Sequence, residues 1–189
     1  GNLTNATAIG AKMTGMRLSL GFLNNANLTG GVDLSNAFLE NTEIIGTNFT
    51  GANLSGANLK FTEGNGSTLL VGTNLTSADL TSATLNNTQF DNADMTGATL
   101  SFAQLSGADL QNVQLDGNAN LSNATLSNAI LTGANLNGAS LEKADLDGAN
   151  LTGANLSGVN FVDGSAVGAN FTNSNLSDAN LTKVNLFNV

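Results

Sequence analysis

Large apolar residues return at every fifth position of this chain, and between Ala134 and Phe161 the phrase around them is unbroken. Ala134-Asn135-Leu136-Asn137-Gly138 is followed by Ala139-Ser140-Leu141-Glu142-Lys143 and Ala144-Asp145-Leu146-Asp147-Gly148, and the phrase continues through Leu151, Leu156 and Phe161. The large apolar residue is the centre of each quintet. A small residue stands two before it, Asn or Asp one before, Ser or Thr often after, and Gly often last. A period of five fits no amphipathic helix, because five steps of about 100° carry successive centres around the cylinder. It fits no continuous strand either, since an odd repeat puts every second centre on the wrong face. A corner in each quintet resolves this: the small residue and the centre point inward, the residue between them points outward, and the last two positions turn. Gly suits a turn that needs positive φ, and Asn or Ser can hydrogen-bond to nearby backbone.

Six quintets run from Leu3 to Leu28 with a degenerate start at Ala8 and Met13, eight from Leu34 to Leu69, nine from Leu75 to Leu115, and fourteen from Leu121 to Leu186. The frame slips by one residue near Gly31, Gly72 and Gly117. Residues 1–189 therefore read as a single solenoid with no linker or second domain. Stacked quintets would pair backbone to backbone at about 4.8 Å, with Leu and Phe layers beside Ala layers inside.

Periodicity alone leaves the number of sides per coil open. The phrase Ala-(Asn/Asp)-Leu-(Ser/Thr)-Gly, however, closely resembles the pentapeptide repeat family, strongly from Leu121 to Leu186 and more weakly before Leu28, where Met16 and Gly21 replace the small Ala. The resemblance implies an all-β fold, a right-handed quadrilateral β-helix of about nine coils, roughly 45 Å long at strand spacing, with no significant helix.

Composition narrows the chemistry. The chain has no Cys, His, Pro, Trp or Tyr, which removes disulfides, zinc-thiolate sites, thiol nucleophiles and histidine general bases. Scattered carboxylates leave no nucleophile and base to pair, so no catalytic, cofactor-binding or metal residue is named and no enzyme is expected. The formal charge of −9, with Lys12, Arg17, Lys60, Lys143 and Lys183 dispersed, argues against direct nucleic-acid binding and against an anionic membrane. No apolar run reaches 18 residues. The chain starts at Gly1 and its first Met is Met13; a cytoplasmic location is favoured, with periplasm or thylakoid lumen open if a signal was removed. Triplets such as Asn53-Leu54-Ser55 look like glycosylation acceptors, but the repeat generates them automatically.

Family resemblance implies a non-enzymatic structural or protein-interaction rod for an unknown protein partner. The alternative is a duplex mimic that binds DNA gyrase or topoisomerase, as some family members do; such proteins are abundant in cyanobacteria. Seven acids and no base lie between Lys60 and Lys143. Counting quintets modulo four distributes the 14 acids as four on each of three faces and two on the remaining one, where a mimic should concentrate them. The densest group, Asp91, Asp94, Asp109 and Asp116, reads as solvated surface or as an acidic partner-binding patch.

The departures from the phrase are the other candidates. Leu20, Phe61 and Phe102 each end a quintet, lie 41 apart and map to one corner on every second coil, as a corner cover or an apolar contact stripe. Gly64 stands where a centre should fill the core, leaving a void or a bulge beside Glu63; its neighbouring glycines lack the Lys-Ser or Lys-Thr of a phosphate loop. The end Leu186-Phe187-Asn188-Val189 has no polar cap, so Leu186, Phe187 and Val189 are candidates for end-to-end contact in a homodimer through a terminal coil, as in the gyrase-directed relatives. The outward Asn135, Asn155 and Asn175 should stack as a ladder on one face.

Overall fold

The computed structural model describes residues 1–189 as a right-handed quadrilateral β-helix without helices. Each outward residue bridges in parallel to the outward residue 20 positions on, or 21 where a coil contains a slip. Four ladders result, and they define the faces. Face 1 steps from Asn2 through Phe22 and Glu43 to Asn185; face 2 from Thr7 through Asn27 to Asn170; face 3 from Lys12 through Asp33 to Asn175; face 4 from Arg17 through Phe38 to Asn180.

One quintet shows why the phrase has its form. Ala149 N–H closes the turn onto Leu146 C=O at 2.9 Å, Asn150 N–H donates back to Ala129 C=O at 2.9 Å, and Leu151 N–H donates forward to Asn170 C=O at 2.8 Å. Gly153 N–H also donates forward, to Thr172 C=O at 2.9 Å. The remaining donor, Thr152 N–H, reaches the Asn150 side-chain oxygen at 3.1 Å, and the Thr152 hydroxyl joins it at 2.7 Å. All five backbone donors are therefore satisfied, and the Asn or Asp of the phrase is part of that accounting. The last residue of the quintet carries the left-handed backbone, with φ near 60° throughout, as at Gly153 (67°) and Asn128 (58°).

Inside, the centres and the small residues form one continuous core from Leu18 to Ala169. Six of the small positions hold Thr instead of Ala, at 42, 47, 62, 68, 73 and 88. Their hydroxyls donate to interior carbonyls, for example Thr47 to Leu23 C=O at 2.7 Å, so no buried polar side-chain atom lacks a partner.

The second slip lies elsewhere than the phrase suggested. The extra residue sits among Asn65, Gly66 and Ser67, so Leu70 is the buried centre, and Leu69 is the outward, half-buried bridge of face 2. Gly72 is an ordinary quintet end with φ 60°. The slip follows Gly64 because a centre without a side chain lets the chain bulge there. A Cβ on Gly64 would meet Leu85 Cδ2 at 2.9 Å and Ile44 Cγ1 at 3.3 Å, so the neighbours have closed the void. Thr68 ties the bulge down: its hydroxyl donates to Ile44 C=O at 2.9 Å and accepts from Asn65 N–H at 3.1 Å. The slips at Gly30-Gly31 and Gly117-Asn118 differ, each using two consecutive left-handed residues.

Leu136 is fully buried. Its replacement by Ala should destabilise the fold by about 2–5 kcal/mol in denaturant unfolding.

Candidate functional site

The four corners of the rod are not equivalent. Along the edges from face 1 to 2, 2 to 3 and 3 to 4, every left-handed residue is Gly, Asn, Ser or Asp. The edge from face 4 to face 1 instead runs Leu20, Asn41, Phe61, Ser82, Phe102, Asn123, Lys143, Asp163, Lys183, with no Gly at all. Leu20, Phe61 and Phe102 hold φ of 57°, 56° and 61° there, a conformation that disfavours bulky side chains. Each slip falls on a different one of the other three edges, so this edge alone keeps its register from end to end.

The side chains concerned face solvent: Leu20 is 74% exposed, Phe61 47% and Phe102 59%. Phe22 on face 1 follows Leu20, Phe38 on face 4 precedes Asn41 on the next rung, and both are also exposed. These two are invisible to a search for bulky quintet ends; the available signal was Phe at positions where the phrase calls for Asn or Asp. Arg17 lies over the Phe38 ring, 4.4 Å from its centroid. Lys60 pairs with Asp79 at 3.0 Å, and farther along the same edge Lys143 lies 3.4 Å from Glu142 and Lys183 3.7 Å from Asp163. Burial pulls the Asp79 carboxyl up, but bonds from Thr81 and Lys60 outweigh it and leave it below its ordinary range.

The acidic group sits on the opposite side. Asp109 is on face 2, Asp94 on face 3, Asp91 at the corner between them and Asp116 at the corner from face 3 to 4. Three of the four are held by neighbours: Thr96 Oγ1 lies 2.6 Å from Asp94 and 3.0 Å from Asp116, Asn135 Nδ2 is 3.0 Å from Asp116, and Gln111 Nε2 is 3.0 Å from both Asp109 oxygens. Burial, and then the facing Asp109 carboxylate, push Asp91 above its ordinary 3.8. Asp33 on face 3 behaves oppositely, held at about 2 by bonds from Ser35 and Thr14.

Of the other two faces, face 1 carries Glu43, Glu63 and Asp145 and face 4 carries Asp79. The face 3 ladder is present, with Asn155 donating to Asn135 at 3.1 Å and Asn175 to Asn155 at 3.3 Å. Leu186, Phe187 and Val189 are exposed in the last coil, apart from both groups.

A family model for pentapeptide repeats matches residues 23–60, 69–115, 119–158 and 154–189, in eight copies. The chain belongs to the pentapeptide repeat family. Among solved structures, this pentapeptide repeat protein is similar to HetL from the cyanobacterium Nostoc sp. strain PCC 7120, involved in heterocyst differentiation regulation. The two are 30% identical over 97% of this chain and 86% of HetL, with TM-score 0.54. A trypsin-treated variant of QnrB1, a plasmid-mediated fluoroquinolone resistance protein, shares the fold at TM-score 0.74 with 24% identity, covering 98% of this chain and 91% of that one. Full-length QnrB1 gives TM-score 0.59 at 22% identity over 98% and 93%. No curated protein sequence matches the chain.

Three outcomes follow from this geometry. In a carboxyl NMR titration Asp33 should titrate at about 2, and its stabilisation, present in full above pH 3.8, is lost as pH falls through the folded-state value of about 2. Asp91 has the reverse sign: its contribution is full below 3.8 and disappears as pH rises through its raised pKa, so Asp109→Asn should bring Asp91 back toward 3.8. Phe61→Asn should leave the melting temperature unchanged or raised, because relief of about 1 kcal/mol of left-handed strain offsets the few contacts of a half-exposed ring. A drop of several degrees would instead identify Phe61 as a structural cover.

Proposed function

We propose that this protein is a non-enzymatic rod that works by presenting its side to a protein partner. The observation that carries the reading is the edge between faces 4 and 1, where apolar side chains stand in solvent on a backbone conformation that elsewhere is left to Gly, Asn, Ser and Asp. Strain held at an exposed position is a mark of use, since a neutral surface would relax to Asn or Gly. HetL's involvement in regulation, in a chain 30% identical to this one, is in keeping with a binding role.

Gyrase or topoisomerase binding by duplex mimicry is the weaker reading. Carboxylates occur on all four faces, and Asp94, Asp109 and Asp116 are engaged by neighbouring hydroxyls and amides, whereas a duplex surrogate would align free charge along one side. End-to-end pairing through Leu186, Phe187 and Val189 would compose two rods into one and leaves the side surface unchanged.

Affinity capture with the purified rod, compared with a Phe61→Asn/Phe102→Asn double variant that stays folded, should recover a specific partner with the wild type and lose it with the variant. In a DNA supercoiling assay the protein should leave gyrase unaffected with or without a quinolone; inhibition or protection would replace the partner-rod reading with the mimic.

A further inference from the structure

The rod reading leaves the chemistry of the partner open, and the edge itself narrows it. From Leu20 to Phe102 the large side chains occupy every second rung, with Asn41 and Ser82 between them. Two rungs span about 9.6 Å at strand spacing. That is close to the advance of about 10.5 Å between positions i and i+7 of an α-helix. Small residues on the intervening rungs leave shallow steps between Leu20, Phe61 and Phe102 into which side chains of a partner can settle. Phe22 and Phe38 widen the same surface onto the two adjoining faces at its first rungs.

Charge sets the second requirement. Of the acids bordering this half of the edge, Asp79 is neutralised by Lys60, and Arg17 is laid over Phe38. Glu40, Glu43 and Glu63 have no cation beside them, although Asn24 Nδ2 donates to Glu43 at 2.8 Å. Three carboxylates therefore border the apolar row on a protein of net charge −9, while Lys143 and Lys183, farther along the edge, already face Glu142 and Asp163. A second copy of this chain would bring like charge against like charge. A segment with Lys or Arg beside its apolar row would not.

We infer that the face 4 to face 1 edge, along Leu20, Phe61 and Phe102 with Phe22 and Phe38 beside them, docks a basic amphipathic helix of a partner protein, its apolar residues meeting alternate rungs and its cations meeting Glu40, Glu43 and Glu63. This deepens the partner-rod reading and rests on it. The mode is that of a helix laid along an apolar row and read at i and i+7.

The test uses the whole chain and a synthetic helical peptide of three heptads with one Leu row flanked by Lys, together with the same peptide carrying Glu for Lys. Backbone amide NMR shifts should concentrate at Leu20, Phe22, Phe38, Phe61 and Phe102. Affinity should fall at least tenfold in Phe61→Asn/Phe102→Asn and severalfold in Glu40→Gln/Glu43→Gln/Glu63→Gln, and stay unchanged in Asp94→Asn/Asp116→Asn. The Phe variant's melting temperature, unchanged or raised, assigns the loss to the surface rather than to unfolding. Equal binding of the Glu peptide, no binding of either, or self-association through this edge in sedimentation overturns the inference. Shifts centred on Asp91, Asp94, Asp109 and Asp116 also overturn it, while leaving a partner-binding rod in place; the rod reading itself falls only with the capture and supercoiling results.

Discussion

Five backbone N–H groups per quintet must find acceptors, and the structure depends on how they do so. Four are met by backbone carbonyls, two in the following coil, one in the preceding coil and one across the turn, as the quintet of Leu151 shows. The fifth has no carbonyl partner, and where the outward residue is Asn or Asp it bonds to that side chain, as Thr152 N–H does to Asn150. An outward amide or carboxylate is thus a component of the scaffold before it is a surface group. The small residue, the large centre and the left-handed last position follow from the same geometry: one fits beside the wall, one fills the interior, and one reverses the chain. The solenoid is then a repetition of one local solution, held together between coils by bonds that any outward residue can make through its backbone.

That is why so much was legible from the chain alone. Centres, small positions and outward positions are set by chemistry that acts within about five residues, and Ala134, Asn135 and Leu136 carry it plainly. What failed was the place of the second slip, and the reason is non-local. From Gly64 to Gly72 the frame can be resumed with either Leu69 or Leu70 inside, since both are large and apolar and both are preceded by residues small enough to fit. The choice is made by Leu85 and Ile44 closing over Gly64 from neighbouring coils, and by the Thr68 hydroxyl holding Asn65 N–H and Ile44 C=O. The phrase contains neither contact. The buried threonines pose the same limit: Ser, Thr and Ala are equivalent as small residues in the repeat, but only the stacked coils show which carbonyl each hydroxyl serves.

The candidate surfaces were legible in part for the same reason. Leu20, Phe61 and Phe102 could be aligned by counting, but counting could not show that their edge is free of slips and of Gly, or that Phe22 and Phe38 border it. Acids were easy to find and hard to interpret. Asp33 and Asp94 sit where the phrase needs an acceptor for the fifth N–H, and they bond to Ser35 and Thr96 as Asn would. Much of the negative charge is therefore explained by folding, and the acidic group at Asp91, Asp94, Asp109 and Asp116 loses most of its claim to be a docking patch.

The apolar edge resists that kind of explanation. Phe22 and Phe38 stand at outward positions and supply no acceptor, so Asn24 N–H and Glu40 N–H gain no bond of the kind Thr152 N–H enjoys. Leu20, Phe61 and Phe102 add left-handed strain without gaining burial. Each of these substitutions works against the local rule that builds the rod, and all five border one edge within its first five rungs, while the other exposed apolar residues before the last coil, Ile9, Ile45 and Ile130, lie singly elsewhere. Bulk on the left-handed position itself occurs on no other edge, whereas the outward apolar residues of face 2, Leu69 and Ile130, leave their corners to Gly. The five fall where the register is intact, which is where a rigid partner can read a fixed spacing. In a molecule whose regular positions are all accounted for by its own backbone, the positions that weaken the fold together are the ones that another surface has reason to keep.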